Sequence, residues 1–361
     1  MEIQDINIIL SILVISHNQA NLLVRCVDSL LQQKINFPYE IIISDDASSD
    51  NTWEVIERYM NLFPDLIFGT QINSDDCNPV NRSERCGYNK ANAYKHARGK
   101  YFVNMDADDY LTGEDVYQKQ VEMLEKNPEC SMCMQNIWVL NDGEPIEKGY
   151  LWGLDNSYAY GQILTAKEII LHSLRVLNQA YMIRRYTAVD PITLYGKHFD
   201  DTVITYHHLQ FGNVVYLDRH DYVYVKYAAS IDSSLTNDNR KVLYGLLPIH
   251  HIYYIPRFAG LFFKNGLPGF IRLFKLNTEK TMEIDKETKA YLSEFEGFIF
   301  KYFQNENRNI SDKFRLYLIR VLVISLKRWS LDSSYLYRLT YALMTNYREM
   351  TRIPKKHWCV N

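Results

Sequence analysis

The run "KYFVNMDADDYL", residues 100–111, places three carboxylates within four positions, Asp106, Asp108 and Asp109, behind an apolar stretch from Tyr101 to Met105. Carboxylates this close repel one another unless a cation or a set of hydrogen-bond donors lies among them. At a strand end the cluster suits a hard divalent cation, Mg2+ or Mn2+. Such ions take oxygen ligands and are commonly held by one or two carboxylates plus the phosphates of a substrate. The bland alternative is a solvated acidic turn in which Asp109 caps a helix beginning near Thr112.

The elements before the cluster decide between the two. "INIILSILVIS" is a near-continuous apolar run, as in a strand covered on both faces. "NQANLLVRCVDSLLQQ" has helical apolar spacing at Leu22, Leu23, Cys26, Leu30 and Leu31. "YEIIISDD" is a second strand, and "SSDNTWEVIERYM" a helix opened by capping residues. "LIFGTQIN" reads as a third strand and "GYNKANAYKHARG" as a helix closed by Gly99. This β-α-β-α-β-α-β order predicts a mostly parallel sheet with right-handed crossovers, whose ligands bind beyond the carboxyl ends of the strands. Polar groups stand at three such ends: Ser16-His17-Asn18, Asp45-Asp46 and Asp106-Ala107-Asp108. Three polar strand ends in one topology favour a ligand site over a chance acidic turn.

At these residues the sequence resembles family 2 glycosyltransferases of the GT-A fold. "SILVISHN" with "CVDSLLQQ" resembles the family's opening strand and helix, and "YEIIISDDASSDNTWEVI" its acidic strand end. "ANAYKHARGKYFVNMDADD" resembles the approach to the Asp-x-Asp motif, and "HFDDTVITYHHLQFGNVVYL" the later paired-acid segment. His17 stands where an aromatic Tyr is commoner, and the later pair is Asp-Asp instead of Glu-Asp. The resemblance implies an α/β GT-A domain over residues 1–235, with a nucleotide-binding half at 1–110 and an acceptor half at 111–235. A mainly helical region, 236–361, follows.

The resemblance also implies roles. Asp46 accepts a hydrogen bond from the nucleobase, a carboxylate suiting the imide N–H of uracil or thymine. Asp45 stands beside it, structural or ribose-facing. Ser16, His17 and Asn18 shape the base pocket. Arg85 supplies a basic group near the nucleotide, with Lys90 as the competing choice. Asp106 and Asp108 hold ribose and metal, Asp108 as the first-choice ligand of Mn2+ or Mg2+. Asp201 is the general base of an inverting transfer, with Asp200 as alternative. Lys226 and Ser230 lie in a segment that closes over the diphosphate.

The expected function is transfer of a sugar from a nucleotide-diphosphate sugar, UDP-linked by the argument above, to a glycan or lipid-linked acceptor in surface polysaccharide synthesis. Trp152 and Tyr150, in "GYLWGLDNSYAYG", are the acceptor-stacking candidates, because an aromatic face packs on the C–H face of a sugar. Core packing is the competing explanation for both. The alternatives are a nucleotidyltransferase acting on sugar phosphates and a non-catalytic GT-A-like binding protein. The first is disfavoured by "SHNQANL", which lacks a Gly-rich phosphate loop. The second is disfavoured by acids kept at all four sites.

Composition adds bounds. With 40 Lys+Arg against 43 Asp+Glu, nothing marks nucleic acid as a partner. The charge is uneven: Ile310–Asn361 carries 10 basic and 3 acidic residues, +7, so the net −3 leaves −10 for residues 1–309. In "DKFRLYLIRVLVISLKRW", Leu316, Ile319, Val323 and Leu326 recur at helical spacing beside Arg315, Arg320, Lys327 and Arg328. This pattern fits a helix lying on an anionic membrane surface; packing on the catalytic domain or a homo-oligomer interface fits it equally. Cys130-x-x-Cys133 lacks a second ligand pair and reads as reduced, buried thiols. No signal peptide or transmembrane run is read, so the expected location is cytoplasmic, with peripheral contact at the membrane's inner face as the alternative that the basic helix offers.

Overall fold

The computed structural model describes residues 7–72, 82–154, 157–171, 180–186 and 201–227, with residues 251, 258, 261 and 262. The chain divides into two compact units, Met1–Ser234 and Leu235–Asn361. In the second unit, His251 is buried with its ring 5.0 Å from that of Phe262. The helical reading of 236–361, including the basic tail, lies outside the described residues. Among the described residues, no helix is long and apolar enough to cross a membrane.

The first unit is built on β1 (Leu10–Ser16), in which every residue is buried. β2 (Tyr39–Asp45), β3 (Ile67–Gln71) and β4 (Tyr101–Asp106) join it in parallel, in the order β3-β2-β1-β4. The helices α1 (Ala20–Leu31), α2 (Thr52–Leu62) and α3 (Arg82–His96) make the connections. α1 buries Leu23, Cys26, Val27 and Leu30, the stripe its spacing predicts. α3 has no such stripe. It starts five residues before the predicted run and buries Asn89 and Lys90 beside Ala91, Ala93 and Tyr94. Gly99 lies beyond α3, not at its cap. A Cβ there would stand 2.6 Å from the Ser11 backbone nitrogen, so β1 passes too close for a side chain.

Beyond β4 the sheet turns antiparallel. β10 (Tyr181–Arg184) pairs with β4 and with β6 (Cys130–Met134); β11 (Asn213–Tyr216) runs parallel to β6, and β9 (Ile163–Leu164) closes the edge. A second sheet of four strands has the order β5-β12-β7-β8, from Tyr110–Leu111, Tyr222–Lys226, Ile137–Asn141 and Tyr150–Trp152. The stretches "CSMCMQNIWVL" and "VVYLDRHDYVYVKY" each look like one strand in sequence. Each instead supplies one strand to each sheet, β6 then β7 and β11 then β12, and both pairs run parallel.

Asn136 sits at this crossing. Its Nδ2 donates to the Tyr216 hydroxyl at 3.0 Å and its backbone N–H to the Arg219 carbonyl at 2.9 Å. α4 (Val116–Lys126) follows Asp115. α5 (Ala166–Leu171) opens with a capping box between Thr165 and Glu168. α6 (Asp201–His208) ends with the His208 ring 5.8 Å from Phe102, near the amino end of β4.

Candidate functional site

The strand registers align the polar strand ends. Ser16 lies opposite Asp45, and Ile15 opposite Asp106. Backbone bonds extend the match past the strands, Asp46 N–H to the Ser16 carbonyl and Ala107 N–H to the Ile15 carbonyl, both 3.0 Å. β1 is also where the strand order reverses, β2 on one side and β4 on the other. Open α/β sheets bind ligands at such a switch point, outside the carboxyl ends.

Asp45 and Asp46 are both buried, with different partners. The Asp45 carboxylate accepts from Ser48 N–H (3.0 Å), Ser48 Oγ, Gln71 Nε2 (2.8 Å) and, longer, Ser16 Oγ (3.4 Å). These donors hold the turn after β2. Asp46 receives a bidentate fork from Arg85, Nε at 2.9 Å and Nη2 at 2.6 Å. A carboxylate has about four lone-pair sites, so the pair leaves capacity for a further donor.

His17, half exposed, donates Nδ1–H to the Asp46 carbonyl at 2.7 Å. Asn18 adopts φ +53°, and its Oδ1 collects the N–H groups of Ser49 and Asp50 at 2.7 and 3.3 Å. Asn tolerates this left-handed region because its short amide bonds locally. Ala47, between Asp46 and Ser48, is also left-handed, φ +46°, without that compensation. Strained backbone next to Asp46 fits a site that the surrounding bonds over-determine.

The second acid group divides three ways. Asp106 is partly exposed and pairs with Lys90 Nζ at 3.4 Å, an ammonium itself 1% exposed. Asp108 is almost buried, and its carboxyl is pushed up to about 7, by burial first and then by the Asp106 charge. Asp109 is fully buried, and its carboxyl is pushed well up, by burial first and then by the Asp108 and Asp106 charges. It accepts from the Val225 N–H at 2.9 Å and from the Tyr222 hydroxyl, tying the turn to β12 of the second sheet. Asp109 therefore caps no helix, and α4 begins only at Val116.

Arg25, on α1, donates to the Asp108 carbonyl at 2.8 Å and lies 4.7 Å over the Tyr110 ring. Arg85 and Lys90, competing choices in the sequence, serve different acids, five residues apart on α3. Asn89, between them, donates to the Ser16 and Ser44 carbonyls at 3.2 and 3.0 Å, stapling α3 over the ends of β1 and β2.

Tyr150 and Trp152 stand on β8, the edge of the second sheet, with Tyr150 47% exposed. Gly153 follows at φ +145°, where a Cβ would meet Asn136 Oδ1 at 2.0 Å. Asn136 bonds Leu154 at both backbone groups, 2.7 and 2.9 Å, as a neighbouring strand would, and so fixes the chain leaving Trp152.

The sequence model "Glycosyl transferase family 2" matches residues 11–186. This stretch runs from β1 through the whole acid cluster to the end of β10. Residues 11–186 belong to glycosyl transferase family 2.

Relatives are similar over part of the chain. Rv1520 of Mycobacterium tuberculosis is 32% identical over 133 residues, 36% of each chain. Chondroitin synthase of Pasteurella multocida is 31% identical over 144 residues, 40% of this chain and 14% of the synthase. The matches thus span about a third or less of those relatives. The structure of S. aureus TarS 1–349 in complex with UDP-GlcNAc superposes with TM-score 0.56 at 16% identity, covering 91% of both chains. The shared fold is that of GT-A glycosyltransferases.

Within this family 2 domain the expected base region is partly described. Asp201 is the first residue of α6; its side chain, Asp200 and Ser230 lie outside the described residues. Arg25, Asn89 and Asn136 escaped the sequence reading. An Arg or Asn amid helical or strand spacing carries no local sign that it will bind backbone from another element.

Proposed function

We propose that the chain is an inverting glycosyltransferase that moves a sugar from a nucleotide-diphosphate sugar, UDP-linked, to a glycan or lipid-linked acceptor in surface polysaccharide synthesis. The observation that carries the reading is the alignment of Asp46–Arg85 with Asp106–Asp108 along the switch-point edge of a family 2 sheet. Similarity to chondroitin synthase and to TarS bound to UDP-GlcNAc supports a polymer product and a UDP donor.

Uracil presents a carbonyl, an imide N–H and a second carbonyl along one edge. Asp46 accepts the imide proton while Arg85, anchored on it, donates to a flanking carbonyl. Asp45 keeps the turn in register.

Asp106 and Asp108 fit a divalent cation. Burial and mutual repulsion make the Asp108 charge costly in the protein alone. Among the described residues no third His, Cys, Asp or Glu converges with two others to complete a protein-only site. That pattern suits Mg2+ or Mn2+ completed by substrate phosphates. When bound, the ion neutralises the charge that builds on the departing diphosphate. Lys90 holds Asp106, Arg25 holds the Asp108 backbone, and Asp201 takes the proton of the attacking hydroxyl.

The test is incubation of the protein with UDP-, dTDP- and GDP-sugars and Mn2+, scoring released nucleotide. Release from a UDP-sugar alone is the expected result. Failure to bind or hydrolyse any of the donors overturns the reading.

A further inference from the structure

In the second sheet, Trp152 pairs with Ile137 and Ile137 with Tyr222; Tyr150 pairs with Val139 and Val139 with Tyr224; Asn141 pairs with Lys226. Paired residues share a sheet face, and so do alternate positions along a strand. Trp152, Tyr150, Tyr224 and Lys226 therefore lie on one face. Lys226 stands at the end of β12 next to the acid turn, because Asp109 holds the N–H of the preceding Val225.

Lys226 is exposed, and its Nζ donates to the Tyr150 hydroxyl at 3.0 Å while lying 5.1 Å from that ring's centroid. Among the described residues no carboxylate pairs with it; the hydroxyl is its one polar side-chain partner. A cation held in one orientation by a neutral aromatic group, with no carboxylate paired to it among the described residues, is prepared for an anion. The surroundings make this specific. Residues 1–234, the unit that carries this face, hold 19 Lys+Arg against 32 Asp+Glu, net −13, a field that repels an acidic ligand unless a local cation admits it.

We infer that this face is an acceptor subsite for an acidic saccharide. The sugar ring lies on Tyr150 and Trp152, and its carboxylate or phosphate meets Lys226. The inference rests on the glycosyltransferase reading and deepens it by naming the acceptor class. Stacking supplies contact that any pyranose can make; the charge-assisted bond to Lys226 discriminates acid from neutral. Asp109 and β12 connect this face to the turn bearing Asp108, which sets the acceptor beside the donor.

The experiment is calorimetric titration of the full chain, first with UDP and Mn2+, then with three saccharide probes. These are a hyaluronan tetrasaccharide (carboxylate), a ribitol-phosphate oligomer (phosphate) and chitotetraose (neutral). The expected result is binding of at least one acidic probe about tenfold tighter than chitotetraose. The carboxylate and phosphate arms say which anion is preferred. Lys226→Gln should erase the difference, and Tyr150→Ala should weaken acidic and neutral probes alike.

Equal binding of all three probes, binding of none, or an unaltered preference in Lys226→Gln overturns the inference. So does a Lys226→Gln variant that loses UDP affinity but keeps its saccharide preference, since Lys226 then serves the donor diphosphate. If the chain binds no UDP yet shows the Lys226-dependent preference, the acidic subsite stands and the donor reading falls.

Discussion

Arg85 and Asp46 meet fork to fork: Nε and Nη2 of one reach Oδ2 and Oδ1 of the other at 2.9 and 2.6 Å. Both side chains are largely shielded from water, 33% and 8% exposed. A bidentate charge-assisted pair fixes orientation as well as distance. Under the proposed function, its position after β2 makes it the reader of one base edge. Lys cannot reproduce the fork, so Arg85→Lys should weaken UDP binding about tenfold, at roughly 1.4 kcal/mol. The thermal midpoint should fall by only a few degrees. Calorimetry against UDP, with thermal unfolding alongside, checks both. An Arg85→Lys protein with undiminished UDP affinity removes Arg85 from base recognition.

Asp108 and Asp109 are adjacent carboxylates with opposite expected phenotypes. Asp108→Asn removes one charge from the repelling cluster, and the amide oxygen can still accept the backbone N–H that the carboxylate accepts, so the fold should keep or gain stability. Donor hydrolysis should nevertheless drop to near background, because an amide cannot supply the ligand charge. Asp109→Asn leaves the buried Tyr222 hydroxyl or its own amide mispaired, at a cost of about 1–3 kcal/mol. Thermal unfolding and Mn2+-dependent hydrolysis, measured on both variants, separate the roles. Full wild-type activity in excess EDTA would sink the metal assignment for Asp106 and Asp108.

The legible part of the fold is the part where apolar period and strand ends coincide. β1 to β4 and the acids at their ends follow from runs such as "SILVIS" and "YFVNM" and from capping residues. α3 was placed late because its buried face is polar, Asn89 and Lys90, so spacing of apolar residues marks neither its start nor its function. The second sheet was invisible for a different reason. "CSMCMQNIWVL" keeps its apolar character across Gln135 and Asn136, and only tertiary bonds from Asn136 to Tyr216 and Leu154 make the chain change sheets there. The acids look like one cluster in the sequence, which gives proximity, not direction. Asp109 turns to Val225, more than a hundred residues away, and leaves Asp106 and Asp108 as the pair.

The base assignment to Asp201 makes a kinetic prediction. Asp201→Asn should lower turnover about 10^2–10^4-fold, the usual size of a general-base contribution. UDP affinity should stay within about twofold, since the proposed base acts on the acceptor hydroxyl and not on the nucleotide. The paired variant Asp200→Asn decides the alternative. If it is the inactive one, the base is one residue earlier; if both variants turn over normally, an inverting mechanism through this acid pair is excluded.

The last prediction concerns acid stability. His208 is fully buried, and burial drives its pKa down to about 3, opposed in part by its bond to Ile204. Nδ1–H donates to the Ile204 carbonyl at 2.8 Å, while Nε2 has no hydrogen-bond partner among the described residues. Its ring neighbours are Phe102, Tyr186, His207 and Phe211, and the His207 imidazole is likewise lowered by burial. The folded protein therefore keeps His208 neutral where the unfolded chain charges it, below about pH 6.5. The unfolded state binds more protons in that window, so stability is complete above pH 6.5 and falls as pH drops toward 3. One such group contributes a slope of about 1.4 kcal/mol per pH unit. Carboxylates add their own acid slope below about pH 5, so the informative range is pH 5–6.5. Urea unfolding of wild type and His208→Phe across that range should show a slope smaller by about one proton in the variant. Parallel curves for the two proteins would mean that His208 is not the group that titrates on unfolding.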